Sequence, residues 1–134
     1  MKVLFICKAN VGRSQIAEAV FNNLSKEHSA FSAGLNPGKW EGKNISSAQN
    51  VISCMNEIGY NINNKISKKI KKDMVEQADK VIVIGERDNW PTYLVNNKVE
   101  YWEIEDAKEL SLEFHRKIRD QIIVKVKELL KIFK

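Results

Sequence analysis

A cysteine, an arginine and a serine stand at short, fixed spacing near the start of the chain, in VLFICKANVGRSQIAEAVF (residues 3–21). Cys7 ends an apolar run, Arg13 is the sixth residue after it, and Ser14 comes next. A cysteine thiolate is a strong nucleophile, and electropositive surroundings favour it over the thiol. The planar guanidinium of an arginine can hold two oxygens of one phosphate. These residue types therefore predict attack by sulfur on a bound oxyanion.

The residues between Cys7 and Arg13 are expected to form the binding loop. The loop residues are Lys8, Ala9, Asn10, Val11 and Gly12. If the chain curls there, their amide groups point inward and make an anion-binding nest, to which the following helix adds the positive end of its dipole. Asparagine at position 10 suits a strained turn because it tolerates left-handed geometry. We expect phosphate or another tetrahedral oxyanion as ligand, with no metal and no cofactor.

Strands and helices alternate along the chain. The continuous apolar run at 3–6 is typical of a strand buried on both faces, and Ser14 is well placed to start the helical stripe that runs to Leu24. Further strands are predicted at 30–34, 80–85 and 99–104, the last nearer the edge of the sheet. Further helices are predicted at 51–58 with Gly59 as the stop, at 74–78, and from 110 to the C terminus.

This alternation predicts one α/β domain over residues 1–134, with three layers: a central parallel four-stranded sheet and helices on both of its faces. The phosphate-binding loop would follow the first strand. Ligands of such sheets bind beyond the carboxyl ends of the strands, and Cys7 falls at one of these ends.

Composition and cysteine usage exclude several classes of protein. Hydrophobic residues make up 43% and charged residues 29% of the chain, which is typical of a soluble globular protein. No segment approaches the roughly 20 apolar residues that span a bilayer, and the run at 3–6 is too short for a signal peptide. Cys7 and Cys54 lack the spacing of zinc ligands, and we interpret Cys54 as a core residue. We predict a cytoplasmic protein with free thiols and no membrane association.

The chain carries a formal net charge of +5, with lysines clustered in KISKKIKK (65–72). A solvent-facing surface is the usual meaning of such a run, and nucleic-acid binding is the less favoured alternative. The excess positive charge favours anionic small molecules or acidic protein partners.

The N-terminal segment resembles the opening of the low-molecular-weight protein tyrosine phosphatases and of the related thioredoxin-coupled arsenate reductases. The resemblance continues through FSAG, KVIVIG and YWEIEDAKELSLEFHRKIRDQI, and so covers nearly the whole chain. It implies that Cys7 is the nucleophile, Arg13 the phosphate clamp and Ser14 the partner of the thiolate. It also implies that Asn10 and Ser32 brace the loop.

The resemblance further implies an acid that protonates the leaving oxygen. Asp106, in WEIEDAKEL, matches the aspartate that the family places before its last helix. Asp88, which also follows a strand, is the second candidate. Trp40 would form a wall of the substrate pocket, or else plug a loop against the domain. The implied activity is metal-independent hydrolysis of a phosphomonoester through a phosphocysteine, the substrate being a phosphotyrosine protein or a small aryl phosphate.

The sequence departs from the family at several positions. Ala107 and Lys108 replace the proline and tyrosine common after the acid, so one aromatic wall of a phosphotyrosine pocket is missing. Ala9 replaces the usual glycine, Lys8 places a charge where relatives are often apolar, and Gly12 replaces a second cysteine found in many relatives.

Gly85 and Trp90 lie where the arsenate-reductase branch carries two further cysteines for a disulfide relay, so that relay cannot run here. Two alternatives remain open: an arsenate reductase that uses external thiols, and a non-catalytic module that binds phosphate or phosphoproteins.

Overall fold

A computed structural model describes residues 1–133 and contains one sheet of four parallel strands. The strands are β1 (Lys2–Cys7), β2 (Ser29–Gly34), β3 (Lys80–Ile84) and β4 (Val99–Trp102). Their order is β2-β1-β3-β4, so β1 pairs with both β2 and β3, and β4 lies at an edge. The predicted parallel four-stranded sheet is confirmed, including the edge position of its last strand.

Helices cover both faces of this sheet. They are α1 (Arg13–Leu24), α2 (Gln49–Asn56), α3 (Lys72–Gln77) and α4 (Leu112–Ile132). The first, second and fourth pack together over one face, and α3 covers the other. The predicted three-layer α/β architecture is therefore confirmed. Within residues 1–133, no helix has the length and apolar character needed to cross a membrane.

Alternating side chains of β1 supply both halves of the core. Phe5 and Cys7 face the layer of α1, α2 and α4, whereas Leu4 and Ile6 face α3. Phe5 is fully buried and packs on an aromatic ring of α1 and on Trp102 at the end of β4. Burial of such a side chain contributes roughly 1.5–3 kcal/mol. This packing fixes the end of β1, and with it the position of Cys7.

The order in which strands are added to the sheet reverses at β1, because β2 lies on one side of β1 and β3 lies on the other. At such a switch point the connections leave toward opposite faces and a crevice opens beyond the carboxyl ends of the strands. Cys7 ends β1 at this crevice.

The start of α1 differs from the sequence prediction. The helix begins at Arg13 with Gly12 as the N-cap residue, and no side chain caps it. The prediction that Ser14 starts the helix was wrong, because its hydroxyl bonds to the side chains of Cys7 and Asn10.

Two further helix boundaries also differ. Helix α2 ends at Asn56, short of residue 58, and Gly59 lies outside it in a left-handed turn with φ of 87°. Helix α4 begins at Leu112 because the hydroxyl of Ser111 accepts a hydrogen bond from the N–H of Phe114 at 3.2 Å and caps it there.

Candidate active site

The loop between β1 and α1 turns its carbonyl groups outward. The carbonyl oxygens of residues 7–10 all accept hydrogen bonds from outside the loop. The donors are the N–H groups of Leu35 and Asn36, the hydroxyl of Ser67 and the side-chain amide of Gln15. By contrast, no N–H of residues 8–12 donates a hydrogen bond to any part of the chain that the structure describes. Because backbone donors rarely stay unpaired, these amides are suited to bind an oxyanion.

Two backbone features allow this tight loop. Asn10 has φ of 58°, the left-handed conformation that its residue type tolerates. Gly34, at the end of β2, lies against the loop, and a Cβ atom there would be 2.8 Å from the carbonyl oxygen of Lys8. A larger residue at position 34 would push the loop away from the sheet.

Cys7 and Ser14 are in direct contact. The sulfur of Cys7 lies 3.0 Å from the hydroxyl oxygen of Ser14, and both side chains are buried. The amide nitrogen of Asn10 donates to the hydroxyl oxygens of Ser14 at 2.7 Å and of Ser32 at 2.9 Å. Asn10 thus joins Ser14, the neighbour of Cys7, to strand β2 behind the loop.

Arg13 is only 5% exposed and runs over Gly85. Its Nη1 atom donates to the carbonyl oxygen of Ile104 at 2.9 Å, and its Nη2 atom lies 3.7 Å from a carboxylate oxygen of Glu86 and of Asp106. A Cβ atom at position 85 would stand 1.7 Å from Nη1. The missing side chain of Gly85 therefore makes room for the guanidinium.

Asp106 is held in place without the proline of the family pattern. Its Oδ1 atom accepts a hydrogen bond from the N–H of Lys108 at 2.9 Å, which fixes the carboxyl group in a local turn. Ala107, between them, is buried in the core. The side chain of Asp106 is 46% exposed. Asp88, the second candidate from the sequence, is exposed and does not line the cavity that contains Cys7.

These groups line one cavity of about 700 Å³. The candidate site residues that line it are Cys7, Lys8, Ala9, Val11, Gly12, Arg13, Trp40 and Asp106. The side chain of Asn10 is fully buried and does not line it. The lining also includes Lys39 and Lys108, which with Lys8 put three exposed lysines around the cavity. The cavity thus combines a buried sulfur with an excess of cationic groups.

Two lysines of the run at residues 65–72 also contact groups behind the loop. The ammonium of Lys65 lies 2.9 Å from a carboxylate oxygen of the buried Glu18. The backbone N–H of Lys68 donates to the side-chain oxygen of Asn10 at 2.9 Å, and burial lowers the pKa of the Lys68 ammonium. This segment packs behind the loop and supports it.

Sequence reasoning missed three residues around the site. Glu86 approaches Arg13, and its position two residues after the end of β3 was the only signal. His115 lines the cavity, with Nδ1 2.9 Å from the carbonyl oxygen of Ser111. Glu18 is a buried acid on the packed face of α1, one turn beyond Ser14, and a charged residue on that apolar stripe was a usable signal.

Cys54 is a core residue, as the sequence predicted. It is fully buried on α2, where its thiol donates to the carbonyl oxygen of Val51 at 3.3 Å. Burial raises the pKa of the Cys54 thiol to about 11. It is therefore a poor partner for redox chemistry at neutral pH.

A buried sulfur, an arginine and a loop of free amides define a cysteine-based enzyme class that acts on tetrahedral oxyanions. The family profile "Low molecular weight phosphotyrosine protein phosphatase" matches residues 2–134. The chain is 32% identical to the glutaredoxin arsenate reductase of Synechocystis sp., over 96% of this chain and 95% of that protein. It is 30% identical to arsenate reductase 1 of Staphylococcus haemolyticus, over 94% and 92% of the two chains.

A solved structure agrees with this assignment. An arsenate reductase in the phosphate binding state superposes with a TM-score of 0.85 at 30% identity, covering 99% of this chain and 98% of that one. The chain belongs to the low-molecular-weight phosphotyrosine protein phosphatase family, and it is an enzyme with a cysteine-based mechanism.

Proposed function

We propose that the protein is a metal-independent phosphomonoester hydrolase of the tyrosine-phosphatase type, acting through a phosphocysteine. The observation that carries the proposal is the meeting of Cys7, Arg13, Asp106 and the free amides of residues 8–12 at one cavity. This set supplies a nucleophile, an anion clamp and a proton donor, which together are sufficient for both steps of ester hydrolysis.

In the first step the thiolate of Cys7 attacks phosphorus, so that an S–P bond forms and the P–O bond of the ester breaks. Asp106 gives its proton to the departing oxygen, which leaves as the hydroxyl of a phenol. The loop amides and Arg13 hold the equatorial oxygens, whose charge they stabilise. Ser14 donates a hydrogen bond to sulfur whenever sulfur carries negative charge.

In the second step water attacks the phosphocysteine. Asp106, now ionised, takes a proton from that water, the S–P bond breaks, and phosphate and the Cys7 thiolate are released. Asp106 is favoured over Glu86 as the acid because Asp106 lines the cavity, whereas Glu86 lies at the same 3.7 Å from Arg13 but outside the lining.

The proposed substrates are phosphotyrosine proteins and small aryl phosphates. Trp40 lines the cavity and can stack on an aromatic leaving group. The buried Ala107 and the charged Lys108 leave no second aromatic wall at the acid's side. We therefore expect broad acceptance of aryl esters and weak selection for phosphotyrosine. We place this enzyme in the cytoplasm, where its two free thiols stay reduced.

Arsenate reduction with external thiols is the second candidate, favoured by relatives of 30–32% identity that are named arsenate reductases. A disulfide relay within the chain lacks its parts. Arg13 fills the space beside Gly85 that a side chain would need, and Cys54 is buried on α2. Both electrons would have to come from two external thiols, which become a disulfide as arsenate becomes arsenite.

Hydrolysis of p-nitrophenyl phosphate in the presence of a chelator tests the proposal. We expect turnover by the natural sequence and none by Cys7→Ser. Asp106→Asn should lose about 100- to 10,000-fold in rate, the usual contribution of a general acid. The matched control is Glu105→Gln, which removes the neighbouring exposed carboxylate outside the cavity lining and should keep full activity.

The same preparations separate the alternatives. Arsenate-dependent oxidation of glutathione without phosphate-ester turnover would replace the hydrolase by the reductase. Phosphate binding without either reaction would leave the non-catalytic phosphate-binding module as the remaining candidate.

A further inference from the structure

A chain of hydrogen bonds leads from the nucleophile into the protein interior. The sulfur of Cys7 lies 3.0 Å from the hydroxyl of Ser14, which accepts a bond of 2.7 Å from the side-chain amide of Asn10. The same nitrogen donates to the hydroxyl oxygen of Ser32 at 2.9 Å. All four side chains are buried, so each hydrogen bond is shielded from water and directional.

The chain ends at an ion pair. The hydroxyl of Ser32 donates to Oε1 of Glu18 at 2.6 Å, and the ammonium of Lys65 binds Oε2 of the same carboxylate at 2.9 Å. Glu18 is only 7% exposed, whereas the side chain of Lys65 is 41% exposed. The lysine therefore connects a buried carboxylate to the surface.

The hydrogen bonds that Asn10 makes have fixed directions. The backbone N–H of Lys68 can only donate, and it donates to Oδ1 of Asn10 at 2.9 Å. Both hydrogens of the Asn10 amide therefore point to the oxygens of Ser14 and Ser32. The proton of Ser32 goes to Glu18, and that of Ser14 is left for the sulfur of Cys7. This arrangement favours the sulfur of Cys7 as the acceptor of the hydrogen bond from Ser14.

The order depends on an ionised Glu18. A buried carboxylate without a partner is costly and tends to take up a proton. A protonated Glu18 would donate a hydrogen bond to the hydroxyl oxygen of Ser32. The hydroxyl proton of Ser32 would then have to turn away from Glu18, toward the position from which the Asn10 amide donates. The amide of Asn10 would lose one of its two acceptors, and with it the fixed position that orients Ser14.

We propose that Lys65 is a positioning residue for the nucleophile. Its ammonium keeps Glu18 ionised, and the resulting order of hydrogen bonds directs the Ser14 proton onto the sulfur of Cys7. The inference rests on the proposed function only in that it takes Cys7 as the nucleophile. It assigns a role in the active site to a lysine that lies 58 positions along the chain from Cys7 and does not line the cavity.

Lys68 is the other cation close to Glu18, but it does not replace Lys65. Its ammonium binds the carbonyl oxygen of Ile66 at 3.2 Å, and burial lowers its pKa. Lys69, one residue further, is exposed and forms no side-chain contact with Glu18 among the described residues. Lys69 therefore provides a matched control within the same lysine run.

The test is the rate at which iodoacetamide alkylates Cys7, followed by mass spectrometry in Lys65→Met and Lys69→Met proteins. At neutral pH we expect Lys65→Met to react about three- to tenfold more slowly, the effect of weakening one hydrogen bond to a charged group. Lys69→Met should react at the natural rate. At about pH 10, where an ordinary cysteine is ionised, the difference should vanish. A loss of alkylation rate that persisted at this pH would instead indicate that the reagent cannot reach Cys7.

Three further variants exclude a general structural effect. Lys65→Arg keeps a cation and should restore the rate. Lys65→Met combined with Glu18→Gln replaces the unpaired carboxylate by an amide whose oxygen can still accept from Ser32 without a nearby cation, and it should recover most of the rate. Ser32→Ala breaks the chain of hydrogen bonds nearer Cys7 with no change of charge, and its Cys7 should be alkylated slowly. This variant therefore tests the proposed chain of hydrogen bonds even if Lys65→Met folds poorly. Equal rates for Lys65→Met and Lys69→Met, or no recovery in the double variant, would overturn the proposal.

Alkylation requires no substrate, so this test is independent of the proposed activity. If no phosphate ester is hydrolysed but Lys65→Met still slows alkylation, the hydrolase proposal fails and the role of Lys65 stands. If hydrolysis proceeds and alkylation is unaffected, the reverse holds.

Discussion

Replacing Gly85 with alanine tests how Arg13, the proposed phosphate clamp, is positioned. The added Cβ would lie 1.7 Å from Nη1 of Arg13 and 2.6 Å from the carbonyl oxygen of Ile104. Neither contact is tolerable, and the carbonyl belongs to the backbone, so the guanidinium must leave. Its buried hydrogen bond of 2.9 Å to Ile104 is then lost.

Two costs add in the Gly85→Ala protein. A hydrogen bond to a charged group is worth about 1.5–3 kcal/mol. Gly85 also has φ of 78°, where a residue with a side chain costs roughly 1–2 kcal/mol. We therefore expect the free energy of unfolding to fall by about 2.5–5 kcal/mol. Turnover should fall about 100- to 1,000-fold, as when a donor to a developing oxyanion is removed.

Gly59→Ala is the matched control. Gly59 has φ of 87°, but a Cβ atom there would meet nothing within 4 Å. This variant should show the backbone cost of roughly 1–2 kcal/mol alone, with unchanged turnover. Urea denaturation and p-nitrophenyl phosphate kinetics of both proteins measure the two effects. If Gly85→Ala matched Gly59→Ala in both, the reasoning about Arg13 would be refuted.

Three further predictions concern the cysteines, the loop and an ion pair. Iodoacetamide at neutral pH should label Cys7 and be blocked by phosphate, while Cys54 stays unlabelled because burial raises its pKa to about 11; peptide mapping checks this. Gly34→Ala should weaken phosphate binding, measured by calorimetry, by about tenfold to 100-fold because its Cβ displaces the loop. The hydrogen bond from Arg116 lowers the pKa of Glu57 below 4.5. The ion pair with Arg116 therefore stabilises the folded protein above pH 4.5, and this stabilisation is lost as the pH falls through the lowered pKa of Glu57. The natural protein should be more stable than Glu57→Gln at neutral pH and equally stable in acid, which acid denaturation of both proteins measures.

The sheet and the position of Cys7 could be predicted from the sequence because both depend on local patterns. The continuous apolar runs at β1 and β3 indicate strands buried on both faces, and their order along the chain indicates a parallel sheet. Cys7 then follows from its place at a strand end. The left-handed turn at Asn10 also followed from residue type.

The surroundings of Arg13 could not be predicted in the same way. They depend on the approach of three distant segments: the loop after β1, Gly85 after β3, and Ile104 after β4. The pairing of Glu18 with Lys65 likewise joins residues 47 positions apart. No local spacing encodes such contacts, because they arise only when the strands have assembled.

Local reasoning also failed at the ends of two helices. Ser14 is a good helix cap by type, yet its hydroxyl serves the sulfur of Cys7 and the amide of Asn10. Residue 58 continues the apolar spacing of α2, but the helix has ended before it and Gly59 turns the chain. In both cases a contact or turn outside the helix decided the outcome.

Detection of the phosphocysteine tests the central claim most directly. The protein is mixed with p-nitrophenyl phosphate in a chelator, quenched in acid within the first turnovers, and mapped by mass spectrometry. We predict one phosphoryl group on Cys7, which is absent from Cys7→Ser and short-lived unless Asp106 is replaced by asparagine. Release of p-nitrophenol with no phosphoryl group on Cys7 at any time, in either the natural protein or Asp106→Asn, would contradict it.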